Sequence, residues 1–136
     1  VESRKVIYLD ACALIALSVQ RDPVDELVDF IKQHPNDPLG CSAVGFMETV
    51  RGAAEYGQYP NLLAELRSRY AEFAVTEEII EIGSTIPRAI RSHDALHLAT
   101  ALSIAEYLTA FVTYDRRLFK GAQEHGIPVA SPGMNL

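Results

Sequence analysis

The sequence predicts an α/β fold, a three-layer α/β/α sandwich around a mostly parallel central sheet. Three observations predict it. Short apolar, β-rich runs alternate with segments of helical periodicity. Capping and breaking residues fall between the two kinds of segment, so each strand is followed by a helix. Right-handed crossovers between parallel strands then place helices on both faces of the sheet.

The elements follow in order. Val6 to Leu9 is an apolar strand that stops at Asp10, and residues 12 to 19 form a short helix. In "DPVDELVDFIKQH", Asp22 is the expected N-cap, Pro23 takes the first helical position, and Leu27, Phe30 and Ile31 share a face. "NDPLGCS" supplies a turn and a second strand, and Ser42 caps a helix running to about Tyr56. Another helix starts near Asn61 and leads into a brief strand from Phe73 to Val75. Thr76 opens a helix that Gly83 and Pro87 interrupt, and Ser92 opens one reaching about Tyr107. "LTAFVTYD" is a strand that again halts at an aspartate, Asp115. A helix over residues 116 to 125 stops at Gly126, and "IPVAS" adds a last strand.

At 136 residues the chain fits one domain, 1–136, with enough length to bury a core. No repeat, low-complexity tract or linker divides it. No apolar run approaches the roughly 18 residues that span a bilayer, and "VESRKVIYLD" lacks the pattern of a signal peptide. The expected setting is therefore cytoplasmic, away from a membrane. Cys12 and Cys41 lie in apolar segments without metal-ligand spacing and are expected to be buried thiols acting as small hydrophobes. The net charge is −6, and its distribution is uneven: residues 22 to 81 hold 12 acidic and 4 basic side chains, residues 82 to 136 hold 4 acidic and 5 basic. A nucleic-acid substrate would therefore need a local basic surface or a metal, because the average field repels phosphate.

Four acidic residues stand at awkward places. Open parallel sheets bind ligands beyond the carboxyl ends of their strands, where Asp10 and Asp115 project. Asp94 lies in the first turn of the apolar helix "SHDALHLATAL", and Glu48 sits among Phe46, Met47 and Val50 in "SAVGFMETVRG". Each alone reads equally well as a cap or a polar face residue. If all four converge while ionised, each close pair repels by roughly 4 kcal/mol at about 4 Å and an effective dielectric of about 20, and a divalent cation removes that conflict. The donors are all oxygen, which selects Mg²⁺, with Mn²⁺ as a substitute, over zinc or copper. Asp10, Glu48, Asp94 and Asp115 are thus the expected metal-binding and catalytic set. Such a site suits phosphodiester hydrolysis by a metal-activated water, leaving a 5′-phosphate and a 3′-hydroxyl.

Supporting residues surround this set. Thr113 can hold a carboxylate or a water. Arg51 is three residues beyond Glu48 on the same helical face, and Arg116 and Arg117, with Lys120 one turn on, form a phosphate-facing lip or a solvated helix start. His97, one turn after Asp94, is expected to hold a ligand in place rather than to act as acid or base. With no Trp and scattered aromatics, the chain shows no stacking platform for bases.

Other enzymes fit less well. A phospho-aspartyl phosphatase needs an acid where Cys12 stands, "GAAEYGQYPN" lacks the Lys and Ser/Thr of a phosphate loop, and the first strand–helix turn has no glycine for a dinucleotide. Two readings stay open beside an RNA-cleaving enzyme: an interaction domain whose acids only cap helices, and a nuclease acting on another nucleic acid.

Together, "YLDACALIAL", "FMETVRG", "SHDALHLATAL" and "FVTYDRRL" resemble the segments of PIN-domain ribonucleases, most of all the VapC-type toxins of toxin–antitoxin pairs. The resemblance covers nearly the whole chain, with 38 residues from Asp10 to Glu48, 46 more to Asp94 and 21 more to Asp115. It implies a PIN-like sandwich, an acidic metal site of Asp10, Glu48, Asp94 and Asp115, and Arg51 as the arginine that follows the glutamate. Many such proteins carry Ser, Thr or Asn just after the first aspartate, where this chain has Ala11 and Cys12. The resemblance further implies a homodimer, a structured RNA substrate and a cognate antitoxin that blocks the cleft. Leu14, Leu17, Leu27 and Phe30 of the early helices are candidate apolar positions for such a partner, with simple core packing as the other reading of most of them.

Overall fold

The computed structural model describes residues 5–136; Val1–Arg4, where the expected absence of a leader falls, lie outside the described residues. Five strands form one sheet: β1 (Val6–Leu9), β2 (Leu39–Ser42), β3 (Ala71–Phe73), β4 (Leu108–Val112) and β5 (Val129–Ala130). Their order is β3-β2-β1-β4-β5 and every pairing is parallel. The helices are α1 (Ala11–Val19), α2 (Val24–Lys32), α3 (Ala43–Ala53), α4 (Leu62–Arg69), α5 (Glu77–Ser84), α6 (Ser92–Ser103) and α7 (Arg116–Glu124), with a 3₁₀ turn at Ala105–Tyr107. They pack in two groups, α1 with α2 and α3, and α6 with α5 and α7, which cover the sheet as the alternating sequence requires.

The core explains why the central strands are so apolar. Ile7, Tyr8 and Leu9 of β1 and Phe111 and Val112 of β4 are fully buried, as expected of a parallel sheet covered on both faces. Leu14, Leu27, Phe46 and Leu98 close over them from the helices. The Tyr8 ring stacks between Phe111, at 5.1 Å between centroids, and Phe73, at 6.2 Å.

Several boundaries differ from the sequence expectation. Pro23, not Asp22, occupies the cap position of α2; its ψ of 59° is not helical, so the helix begins one residue late and Asp22 stays outside it. Strand β3 lies two residues earlier than expected, because the edge strand takes its register from β2, pairing Gly40 with Ala71 and Ser42 with Phe73. Gly40 permits that approach: a Cβ there would lie 3.1 Å from the Ala71 carbonyl oxygen. Helix α6 ends at Ser103, not near Tyr107, and its N-terminal flank is Arg91 without a side-chain cap. Leu14 and Leu27 are buried core residues, unavailable to a partner, while Leu17 and Phe30 are partly buried against the same core. Ser42 and Thr76 do cap their helices, accepting from the Gly45 and Ile79 amides. No helix among the described residues is long and apolar enough to cross a membrane.

Candidate active site

The sheet topology creates the site. The chain builds outward from β1 in one direction through β2 and β3, then returns to the other side of β1 with β4 and β5. The reversal lies between β1 and β4, whose last residues, Leu9 and Val112, are paired, and the Asp10 amide donates to the Val112 carbonyl at 3.1 Å. A crevice at the carboxyl ends of two such strands is where open α/β sheets bind ligands. Asp10 and Asp115 follow these strand ends, and Asp94, in the first turn of α6, feels the Asp115 charge.

Two of the aspartates are held by the chain that delivers them. Asp10 is the N-cap of α1, with Oδ1 accepting from the Ala13 amide at 2.9 Å, and the Thr113 hydroxyl favours its ionised form. Thr113 is itself buried and accepts from the Asp115 amide at 3.1 Å. Asp115 caps α7: its Oδ1 takes both the Arg117 and Leu118 amides, which leaves Oδ2 as the oxygen for a ligand. Asp94 sits in the first turn of α6, 3.6 Å from His93 Nε2.

Asp10 and Asp94 each sense the Asp115 charge. Burial drives the Asp10 carboxyl up to about 6; His97, Thr113 and the Ala13 amide pull against it, and the Asp115 charge adds to the rise. Asp94 is also raised, first by burial, with His93 opposing and Asp115 reinforcing. Burial, more than mutual repulsion, is thus the larger strain on these carboxylates, a different balance from the repulsion argument the sequence suggested. Cys12, expected to be buried, is exposed. It is the second residue of α1 and turns away from the sheet. Partial enclosure and then the charges of Asp10 and Asp115 push its thiol up to about 12.

Glu48 is placed differently. Its Oε1 lies 2.8 Å from His97 Nε2, and the His97 ring is almost wholly buried. Burial opposes a charged His97 ring, but the Tyr8 oxygen, Cys41 and the Glu48 carboxylate hold its pKa well above the usual value. His97 also acts on Asp10, so it stands between Glu48 and the aspartates. Arg51, Arg116 and Arg117 are all exposed; Arg116 shares a hollow with Phe119 and Lys120 on the α7 face. A second hollow, lined by Cys12, Ile15, Tyr56, Tyr114 and Met134, adjoins the aspartates through Cys12 and Tyr114. Tyr8 and Cys12 are the neighbours of the site that sequence reasoning missed: a tyrosine inside an apolar strand reads as core.

The metal expectation can be set against this geometry. Among the described residues, no three His, Cys, Asp or Glu side chains are grouped as a ready-made metal site. The donor set nevertheless suits a hard cation: two carboxylates are destabilised by burial, both feel Asp115, and Asp115 retains an oxygen outside its cap.

The family model of the PIN domain matches residues 7–124. The chain belongs to the PIN-domain family. Among its relatives, ribonuclease VapC47 of Mycobacterium tuberculosis (strain CDC 1551 / Oshkosh) is 38% identical, covering 94% of this chain and 98% of that protein. Ribonuclease VapC46 of the H37Rv strain is 28% identical over 93% of this chain and 97% of its own length. Among solved structures, a toxin–antitoxin complex from Klebsiella pneumoniae superposes with a TM-score of 0.68 at 21% identity, over 95% of this chain and 99% of that one. VapBC-1 from nontypeable Haemophilus influenzae gives 0.68 at 18% identity, over 93% and 97%. These structures share the fold. The sequence relatives place the chain in the VapC-type branch of the PIN-domain proteins, and that membership supports a nuclease-like enzyme.

Proposed function

We propose that this PIN-domain protein is a Mg²⁺- or Mn²⁺-dependent endoribonuclease toxin that hydrolyses structured RNA and is held in check by a cognate antitoxin. What supports the proposal is that Asp10 and Asp115 follow the paired ends of β1 and β4, and that Asp10 and Asp94, both raised in pKa chiefly by burial, each also feel the Asp115 charge. The names of the curated relatives, ribonucleases of the VapC type, supply the substrate class.

Asp10, Asp94 and the free oxygen of Asp115 would hold the cation, and Glu48 would meet it directly or through water. A bound divalent cation supplies charge neutralisation at phosphate and lowers the pKa of water. The chain does the rest. The Ala13 amide fixes the Asp10 carboxylate and the α7 amides fix that of Asp115, so neither would have to be ordered when a cation binds. Arg51, Arg116 and Arg117, with no carboxylate ion pair among the described contacts, are available to take phosphate oxygens of the RNA. The whole chain acts as one nuclease domain, in the cytoplasm and as a homodimer. Leu17 and Phe30, partly buried, remain available to an antitoxin, which would carry basic side chains into the acidic cleft.

A panel of transfer, ribosomal and synthetic RNAs, with matched DNAs, incubated with Mg²⁺, Mn²⁺ or EDTA tests the proposal. Metal-dependent cuts bearing 5′-phosphate and 3′-hydroxyl ends are expected. Metal-independent cleavage to 2′,3′-cyclic phosphates would overturn the mechanism, and cutting confined to DNA would overturn the substrate.

A further inference from the structure

A chain of polar groups crosses the core beneath the site. Tyr8 is completely buried in β1, yet its hydroxyl lies 2.6 Å from His97 Nδ1 on α6, and His97 Nε2 lies 2.8 Å from Glu48 Oε1 on α3. The Ser42 amide donates to the same hydroxyl at 3.1 Å, and the Cys41 thiol is 3.9 Å away. Gly45 makes room for the ring: a Cβ there would collide with Cys41 Sγ and lie 2.9 Å from His97 Cε1. Packing does not ask for this hydroxyl. The ring already stacks between Phe73 and Phe111, and a phenylalanine would fill the same space without placing an oxygen in the interior.

We infer that Tyr8 is a positioning residue, which acts through the buried His97 ring to hold the Glu48 carboxylate in the orientation the active site uses. The donor count shows how. A neutral imidazole carries one proton, on either nitrogen, and the group at one nitrogen decides which. With the Tyr8 hydroxyl donating to Nδ1, the proton must sit on Nε2, where it is donated to Glu48. If the ring is charged, Nδ1–H donates to the Tyr8 oxygen and Nε2–H still faces Glu48. Tyr8 can serve both states because its oxygen both donates and accepts. Without that hydroxyl, the tautomer protonated on Nδ1 becomes available and sets a nitrogen lone pair against the Glu48 carboxylate. Glu48 Oε1 is engaged by His97, so Oε2 is the oxygen presented to a ligand. Partners one step removed from a metal ligand typically change activity or affinity by about 10- to 100-fold when lost.

This inference rests on the nuclease reading for its functional consequence, but its geometry can be tested separately. ¹⁵N-histidine NMR of the full chain, recorded at a pH above the His97 ring's titration so that one proton remains, should show that proton on Nε2, with a resonance that shifts in Glu48→Gln. Tyr8→Phe should populate the Nδ1 tautomer and lower kcat for RNA cleavage about tenfold, with KM changed less than twofold. Unaltered ¹⁵N shifts, or a changed tautomer with wild-type kcat, would overturn the inference. If Tyr8→Phe does not fold, His97→Gln and His97→Asn decide. Glutamine keeps a donor near the place of Nε2 and should stay within a fewfold of wild type, whereas asparagine places it near Nδ1 and should lose activity; equal rates would reject the role. Should the wild type cleave no nucleic acid, the nuclease reading fails, and the NMR result alone decides whether Tyr8 orients the His97–Glu48 pair.

Discussion

Replacing Asp10 with asparagine should make the metal-free protein more stable at neutral pH while abolishing cleavage. Asp10 is buried, and its carboxyl rises from an ordinary 3.8 to about 6, so keeping it ionised in the folded chain costs about 3 kcal/mol. The sign follows from proton counting. Between 3.8 and about 6 the folded chain holds a proton that the unfolded chain has released, so stability falls as pH rises through this window and the full penalty stands above it. Asparagine carries no charge and is as good an N-cap as aspartate, so its oxygen can keep the Ala13 amide. Its NH₂ group needs a new acceptor, and the Thr113 oxygen is the nearest candidate; imperfect pairing returns about 1–2 kcal/mol. The net expectation at pH 7.5 is a gain of about 1–2 kcal/mol, or on the order of 5 °C in Tm for a chain of this size. Thermal melts of wild type and D10N in EDTA, from pH 4.5 to 8, measure it. The gap should shrink as pH falls toward 4.5. A D10N protein that melts below wild type at pH 8, or a gap independent of pH, would refute the claim that a buried, ionised Asp10 strains the fold.

Three further outcomes follow from the same geometry. Thr113→Val removes the hydroxyl that favours the ionised Asp10, so in EDTA the Asp10 carboxyl should titrate above about 6, as read by carboxyl ¹³C NMR; an unmoved titration would separate Thr113 from Asp10. With its thiol near 12 instead of 9.0, Cys12 should hold on the order of a thousandfold less thiolate at pH 8 than an ordinary cysteine, and iodoacetamide labelling followed by mass spectrometry should be correspondingly slow and should quicken in D10N. Millimolar Mg²⁺ should raise the Tm of wild type by mass action and leave that of D94N nearly unchanged; equal shifts in both would remove Asp94 from the cation site.

Strand and helix placement was legible wherever local chemistry decides it. The apolar run of β1, the Ser42 and Thr76 caps, and the aspartates closing β1 and following β4 depend on neighbours in sequence, and the structure has them there. What depended on distant partners was less legible. The register of β3 is set by β2, and Phe73 moves with it. The burial of Leu14 and Leu27 is set by which helix faces meet the sheet, and the exposure of Cys12 by the first turn of α1. At the site, the residue types were legible and their partners were not. No local signal tells that Glu48 answers to a histidine 49 positions away, or that the histidine answers to a tyrosine 89 positions away.

That difference bears on how such a site works. A carboxylate cluster that only needed charge neutralisation could sit in water, where the cost of ionisation is small. Here Asp10 is buried and Asp94 largely so, and burial is the chief cause of their raised pKa values. The same burial that penalises a bare carboxylate strengthens its attraction for a cation, because both act in a medium of lower dielectric than water. Two of the acids are also fixed, Asp10 as the cap of α1 and Asp115 as the cap of α7. Under the proposed function, the fold gives up stability in the metal-free state to hold desolvated cation ligands. For that reason the stability gain of D10N and its loss of cleavage should come from one and the same change.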